Sequence, residues 1–432
     1  MASLYSLVAC SNSESINIAT NGAIPINDNE VIETLSSSSM DYLPLDDSEY
    51  PYAGIPRIVI KTQNFQKIRD RETEIPAKLQ IWGERAHESE ILDLTIRGRG
   101  NTSWTDVPKK SYKIEFAKKQ SLLGMPQDRD WALIANYADK TLMKNYLAYH
   151  LSAELGAFYA PRCEFVELYL NTNYLGVYLL TETIKISNHR IDIPKNDNSY
   201  IVEMKENFRE GQQIVYSRSL KNDSIGKPFR IHEPKEASSE VLLTIQKHIE
   251  DFEDFLKTID SQNENNITNW LDTNNYLKYY WVQEFSKNPD AAGWSSIYFT
   301  WIKGDVLRMG PVWDFDIAFG GHKDKNVNNP QDWYIKKGNW HKMLLKDTAL
   351  SQAKKNFWEH NYISFANLPK TIDSLQTLLQ GAANNNYKRW NILRSTEYYY
   401  HLHSYKSYKE AVDSLKLWVT NRLSWIDSQS NR

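Results

Sequence analysis

The segment from Gly310 to Gly320, GPVWDFDIAFG, carries two aspartates that are separated by one residue and bounded by glycines. In an extended segment Asp314 and Asp316 point to the same side, so both carboxylates can approach one cation. Divalent metals such as Mg²⁺ prefer charged oxygen ligands. Asp-x-Asp pairs also occur in ordinary turns. The segment therefore indicates a metal site only together with its surroundings.

A second carboxylate loop precedes this segment. The polar stretch Ser286–Asp290 is joined to it by a predicted β-hairpin with strands at 296–302 and 306–309. Because a hairpin returns the chain to its starting point, we expect Asp290 to lie near Asp314. Protein kinases have the same order of a catalytic aspartate, a strand pair and a metal-binding aspartate. The order favours a phosphoryl-transfer site.

Basic side chains that could meet phosphates cluster around the turn at Gly98–Gly100. They are Arg97, Arg99, Lys109, Lys110 and Lys113. Lys113 lies within a predicted strand, where kinases place the lysine that grips phosphates. The same pattern describes a lysine on the solvated face of a half-buried strand, and both interpretations stay open. The turn does not complete a G-x-G-x-x-G motif, and the sequence has no Walker A motif.

The composition fits a globular protein with a sizeable core and excludes some classes of function. The chain has 432 residues, a net charge of −3 and 41% hydrophobic residues. That near-neutral charge argues against broad nucleic-acid binding, which normally needs a basic face. Aromatic residues reach 12%, a share more usual in surface or carbohydrate-handling proteins. No stretch approaches the roughly 20 apolar residues that a membrane span requires.

The N-terminal residues resemble the end of a lipoprotein signal. Cys10 closes Leu7-Val8-Ala9-Cys10, which is similar to a bacterial lipobox whose cysteine is lipidated. The apolar run is short and no basic residue precedes it, so the signal peptide is incomplete. Either the start codon is mis-assigned, or the match to a lipobox is due to chance. Residues 11–52 are polar and Ser-rich, and we interpret them as a disordered tether. The pattern predicts a lipid-anchored protein of the bacterial cell envelope whose membrane contact is limited to Cys10. A secreted or cytoplasmic protein is the other location that we considered.

The ordered part predicts an α+β fold with two lobes and a cleft between them. Residues 53–185 form the strand-rich N-lobe, which contains one helix between Asp139 as N-cap and Gly156 as the stop. Residues 186–428 form a mainly helical C-lobe that holds both aspartate loops. There, apolar residues recur at three- and four-residue spacing over 242–256, 276–285 and 412–426.

Several motifs, in this order along the chain, resemble the CotH kinase family, named after spore coat protein H. The motifs are Ile96–Trp104, Pro108–Ile114, Asn136–Lys140, Leu168–Asn171, Gly176–Glu182, Lys287–Asp290 and Gly310–Asp316. The resemblance implies an atypical protein-kinase-like fold that uses ATP and Mg²⁺ or Mn²⁺. It also implies transfer of the γ-phosphate to Ser or Thr of a protein substrate.

The resemblance assigns roles to individual residues. Asp290 falls on the family's catalytic-loop aspartate and Asp314 on its metal-binding aspartate, while Asp316 belongs to the same motif. We infer that Glu182 belongs to the segment that meets ATP. We assign phosphate contacts to Lys113, Arg97 and Arg99.

One departure from the kinase pattern leaves a second function open. Typical kinases place a metal-binding asparagine about five residues after the catalytic aspartate. This chain has Ser295 and Ser296 in that region, and a neutral hydroxyl is a poorer ligand for Mg²⁺. The alternative is a catalytically inactive surface module that binds a glycan or a protein partner.

Overall fold

The structure is a computed structural model that describes residues 48–83, 90–220, 226–260, 265–292, 295–398 and 401–430. Cys10 and most of the tether that we expect at 11–52 lie outside the described residues. Lipidation at Cys10 therefore stays a prediction.

Seven strands in the first part of the chain form a closed barrel. They are β1 (Arg57–Thr62), β2 (Ile75–Trp82), β3 (Leu92–Arg99), β4 (Ser111–Gln120), β5 (Asp128–Ile134), β6 (Cys163–Leu170) and β7 (Asn173–Glu182). Their order is β1-β2-β3-β4-β5-β7-β6, and a parallel pairing of β1 with β6 closes the ring. Alternate residues point inwards, so apolar side chains such as the fully buried Trp131 and Phe116 fill the interior.

Two helices accompany the barrel: α1 (Thr102–Thr105) and α2 (Lys144–Glu154). Helix α2 confirms the helix that the sequence predicts before Gly156, although it starts later than Asp139. The Asp139 carboxylate still accepts a hydrogen bond from Lys144 N at 2.8 Å, which satisfies a donor at the helix start. Helix α2 therefore begins next to a fixed carboxylate.

A second, five-stranded antiparallel sheet lies in the part of the chain that the sequence describes as mainly helical. Its strands are β8 (Ser199–Met204), β9 (Ile214–Ser217), β10 (Lys227–Glu233), β11 (Ile297–Ile302) and β12 (Arg308–Met309), in the order β12-β11-β8-β10-β9. The predicted hairpin corresponds to β11 and β12. The prediction missed β8–β10, because the central strand β8 is buried at every position and so lacks an alternating pattern.

Eight further α-helices lie in the part of the chain that the structure describes. They are α3 (Ser239–Thr258), α4 (Thr273–Ser286), α5 (Pro289–Ala292), α6 (Lys325–Asn328), α7 (Asn339–Leu344), α8 (Thr348–Ala366), α9 (Leu368–Arg389) and α10 (Tyr408–Ser430). The helices predicted at 242–256, 276–285 and 412–426 lie within α3, α4 and α10 and are confirmed. The mixed α+β class is confirmed as well.

Helix α9 joins the helical part to the barrel. Asn386 Oδ1 accepts hydrogen bonds from Val177 N at 3.1 Å and from Lys109 Nζ at 2.9 Å. Its neighbour Asn385 donates to Pro51 O at 2.8 Å. The N-terminal segment, the barrel and α9 therefore meet at one place.

Residues 48–52 belong to this junction, although the sequence assigns them to the tether. The Tyr50 ring is buried and stacks on Tyr174, with 4.2 Å between ring centroids. Arg57 Nη2 donates to Tyr50 O at 2.8 Å. The stretch is polar in composition, but the buried Tyr50 fixes it to the barrel. Ordered structure therefore starts before residue 53.

Candidate active site

The two aspartate loops meet at the end of the hairpin, as the sequence predicts. Asp290 lies in α5, directly after α4 ends at Ser286, and Asp314 follows β12. Asn288 bridges the loops, because its Nδ2 donates to Asp314 O at 3.1 Å and its Oδ1 accepts from Asp290 N at 3.2 Å. The separation between the loops is thus fixed by one buried amide.

The three aspartates of these loops, Asp290, Asp314 and Asp316, form an acidic cluster. Burial and the charge of Asp314 raise the pKa of Asp290 to about 7. Burial and the charges of Asp314 and Asp290 raise the pKa of Asp316 well above its usual range. Carboxylates that repel one another in a partly buried site favour a bound cation, because a cation removes the repulsion.

Asp314 is held in an uncommon backbone conformation at the centre of this cluster. Its φ is 67°, in the left-handed region that residues with side chains rarely adopt. Ser296 Oγ donates to Asp314 Oδ2 at 3.2 Å. Ser296, which lies at the expected asparagine position, therefore orients the Asp314 carboxylate.

Two carboxylates of the cluster, Asp314 and Asp316, are the candidate ligands of a divalent metal, and this role stays a prediction. Among the described residues, no group of three or more His, Cys, Asp or Glu side chains is arranged to hold a metal ion. Mg²⁺ is usually held by one or two protein carboxylates, since waters and substrate phosphates supply the other ligands. Asp314 and Asp316 match that smaller set.

Helix α2 supports the loop that carries these two aspartates. Asn145 Oδ1 accepts from Phe315 N at 2.7 Å, and Asn145 Nδ2 donates to Asn136 Oδ1 at 3.0 Å. Asn136 in turn donates to Leu142 O at 2.9 Å. Sequence reasoning missed Asn145, because it lies about 170 residues before the loop and interrupts no pattern. The helix also contains Lys144, His150 and Ser152, so one more polar residue gives no signal.

Arg99 is the predicted phosphate ligand that the fold brings to the cluster. Its guanidinium lies 5.2 Å from the centroid of the Trp313 ring. Burial lowers the pKa of Arg99, and the charge of Asp314 opposes that shift. Within the described part of the chain, the guanidinium makes no hydrogen bond and no ion pair. Its donors are therefore available to a ligand.

Lys113 and Arg97 lie opposite each other on β4 and β3. Lys113 Nζ pairs with Glu115 and with Asp130, each at 2.8 Å. Arg97 pairs with Glu74 at 3.4 Å. The structure gives both cations protein partners on the partly exposed face of the barrel wall. This arrangement matches the open alternative of a lysine on the solvated face of a strand.

Glu182 ends β7 and is fully buried. Its carboxylate accepts from Arg162 Nε at 2.7 Å and from Tyr159 OH at 3.0 Å, and it pairs with the buried Arg190. Both carboxylate oxygens are engaged by these groups. In this geometry Glu182 acts as a structural anchor, and its contact with ATP stays a prediction.

The barrel, the second sheet and the bridged aspartate loops define an α+β protein with a partly buried acidic site beside Arg99. The family model described as CotH kinase protein matches residues 96–426, and the chain belongs to that family. The matched region extends from β3 into α10 and includes the whole acidic cluster. No curated protein matches the chain. Among the described residues, no helix combines the length and the apolar character needed to cross a membrane.

Proposed function

We propose that this protein is an atypical protein kinase that transfers the γ-phosphate of ATP to Ser or Thr of a protein substrate. The observation that carries the proposal is the bridge between the loops of Asp290 and Asp314 through Asn288. Phosphoryl transfer needs one carboxylate for the attacking hydroxyl and another for the metal, held at a fixed separation. The proposed fold is a two-lobe kinase-like arrangement in which the barrel corresponds to the N-lobe.

Each residue of the acidic cluster receives a role in this proposal. Asp290 accepts the proton of the substrate hydroxyl, which is the role of a general base. Asp314 and Asp316 hold Mg²⁺ or Mn²⁺, which when bound would neutralise charge on the phosphates. Arg99 binds a phosphate oxygen beside Asp314, because its guanidinium is otherwise unpaired among the described residues.

An inactive surface module that binds a glycan or a protein partner is the second candidate. The hydrogen bond from Ser296 to Asp314 favours it, because a serine here replaces the usual second metal ligand. The location is proposed together with the function. The lipobox-like Leu7-Val8-Ala9-Cys10 supports a lipid-anchored envelope protein. ATP is scarce outside the cytoplasm, so this location favours the inactive module over the kinase.

The test is phosphate transfer by the purified protein with ATP and either Mg²⁺ or Mn²⁺. We expect phosphoserine or phosphothreonine by mass spectrometry, on the protein itself or on an added Ser/Thr-rich protein. The Asp314→Asn variant should lose the product. Asp251→Asn is the control, since Asp251 is exposed on α3 and pairs with Lys247. Absence of phosphoprotein with both metals, together with a thermal shift on glycan addition, would support the inactive module instead.

A further inference from the structure

A cavity of about 60 Å³ lies next to the acidic cluster. The start of α2, the loop at 319–321, the segment at 401–405 and α10 form its walls. A buried water needs roughly 10–15 Å³ of such space, so the cavity has room for a small anion. The loop at 319–321 directly continues the segment that carries Asp314 and Asp316.

Lys144, the first residue of α2, contributes the cationic group of this cavity. The residue is 6% exposed. Within the described part of the chain, its ammonium makes no hydrogen bond and no ion pair. It lies directly against the loop, because a Cβ built on Gly321 would come within 2.1 Å of Lys144 Nζ. The charges of Asp139 and Asp316 oppose the lowering of its pKa by burial.

The unpaired state of Lys144 contrasts with the neighbouring buried lysine. Lys140 also lines the cavity, but its ammonium donates to the carbonyl oxygens of Leu393 and His403 at 3.1 and 2.7 Å. The Lys144 ammonium has no such partner among the described residues, so its donors are open to the cavity. A ligand with oxygen atoms could accept hydrogen bonds from it.

We propose that Lys144 binds the terminal phosphates of the nucleotide in the cavity beside Asp316. This inference rests on the proposed kinase function. The start of α2 does not itself bind the anion, because its first amide, Lys144 N, already donates to the Asp139 carboxylate at 2.8 Å. The phosphates would then lie between Lys144 on one side and Arg99 on the other, with the metal-binding aspartates between these cations. Lys113 of the barrel wall has no part in phosphate binding in this arrangement.

The test compares Lys144→Met with Lys144→Arg by isothermal titration calorimetry. The ligands are Mg²⁺–ATP, Mg²⁺–tripolyphosphate and adenosine. We expect Lys144→Met to weaken both phosphate ligands about 10- to 100-fold, because a charged hydrogen bond is lost. Adenosine affinity should stay unchanged, and Lys144→Arg should remain within a few-fold of wild type.

Lys109→Met is the matched control, since Lys109 is also buried but donates to Asn386 Oδ1 at 2.9 Å and to Val177 O. It should lower the melting temperature and leave phosphate affinity within about twofold, because the two hydrogen bonds that it loses are structural. If Lys144→Met does not fold, Gly321→Ala replaces it. The added methyl group must displace the Lys144 ammonium, so the same weakening is expected.

The outcomes separate this inference from the kinase proposal. Wild-type tripolyphosphate affinity in Lys144→Met and in Gly321→Ala would overturn the role of Lys144 and leave the kinase proposal standing. Lys144-dependent binding of tripolyphosphate without any phosphoprotein would support the anion site and count against the kinase. Wild-type protein that binds neither phosphate ligand would overturn both.

Discussion

At the scale of single residues, Asp290 and Asp314 differ in what they are expected to do. Asp290→Asn should lower phosphate transfer about 10²- to 10⁴-fold, because the amide cannot accept the hydroxyl proton. The affinity for Mg²⁺–ATP should change by no more than a few-fold, since the metal is held by the other loop. Single-turnover kinetics and calorimetry measure the two quantities. A variant that keeps a tenth of the wild-type rate would exclude Asp290 as the general base.

Asp314→Asn should remove the response to metal. Adding Mn²⁺ without nucleotide should raise the melting temperature of the wild-type protein, because the ion relieves the repulsion within the acidic cluster. The Asp314→Asn variant should show no such shift, and chelation with EDTA should reverse the shift in the wild type. An equal Mn²⁺ shift in both proteins would place the metal elsewhere.

The sequence predicts the neighbourhood of Asp290 and Asp314 because both flank one hairpin. It does not predict Lys144 or Asn145 as members of the site. Those side chains reach the aspartate loop only through the packing of α2, far along the chain from the hairpin. Local spacing carries no information about such a contact, so only the three-dimensional fold reveals it.

At the scale of elements, α10 is fixed to the end of α4 by a fully buried ion pair. Arg422 Nη2 lies 2.8 Å from Glu284 Oε1 and also donates to Glu284 O at 2.7 Å. Glu284 in turn accepts from Tyr334 N at 2.8 Å. Because α4 leads directly into the loop of Asp290, this pair holds the helix that positions the catalytic loop.

Arg422→Met should lower the free energy of unfolding by roughly 3–5 kcal/mol, because it leaves the buried Glu284 charge without its partner. Lys416→Ala on the same helix is the matched control. Its pair with Asp373 is partly exposed, with side-chain exposures of 38% and 53%, so it should cost no more than about 1 kcal/mol. Urea denaturation measures both. Equal losses would show that the buried pair has no special weight.

Elements with a clear period were predictable, and the fully buried ones were not. The apolar stripes of α3 and α10 identify one face of each helix, and the alternation in β3 identifies the barrel wall. Strand β8 is buried on both faces and includes Glu203, so its sequence has neither period. The closure of the barrel by β1 and β6 depends on a pairing between residues about 110 apart, which no local pattern encodes.

At the scale of the whole molecule, buried neutral histidines make stability sensitive to acid. Burial lowers the pKa of His341 to about 4, from an ordinary value of 6.5. The pKa values of His248 and His401 are lowered to about 4 for the same reason. Between about pH 4 and pH 6.5, the histidines of the unfolded chain bind protons that those of the folded chain do not. The stability from each histidine is therefore complete above about pH 6.5 and declines as the pH falls towards 4.

The expected contribution of His341 is about 2 kcal/mol lost between pH 8 and pH 5. Urea denaturation of the wild type and of His341→Gln at both pH values measures it, since the difference between the proteins cancels the carboxylates that titrate in the same range. The variant should lose less stability on acidification than the wild type. An identical loss would show that His341 is protonated in the folded state.

The junction of α9 with the barrel and residues 48–52 has a consequence for how the chain matures on the ribosome. All seven barrel strands are synthesised about 200 residues before Asn385 and Asn386. Until then, the buried Glu167 lacks the 3.0 Å hydrogen bond from Asn385, and Lys109 lacks its contact with Asn386. In a nascent chain that stops before α9, the barrel therefore lacks these two hydrogen bonds. We expect quality-control proteases to cleave such a chain more readily than the complete one.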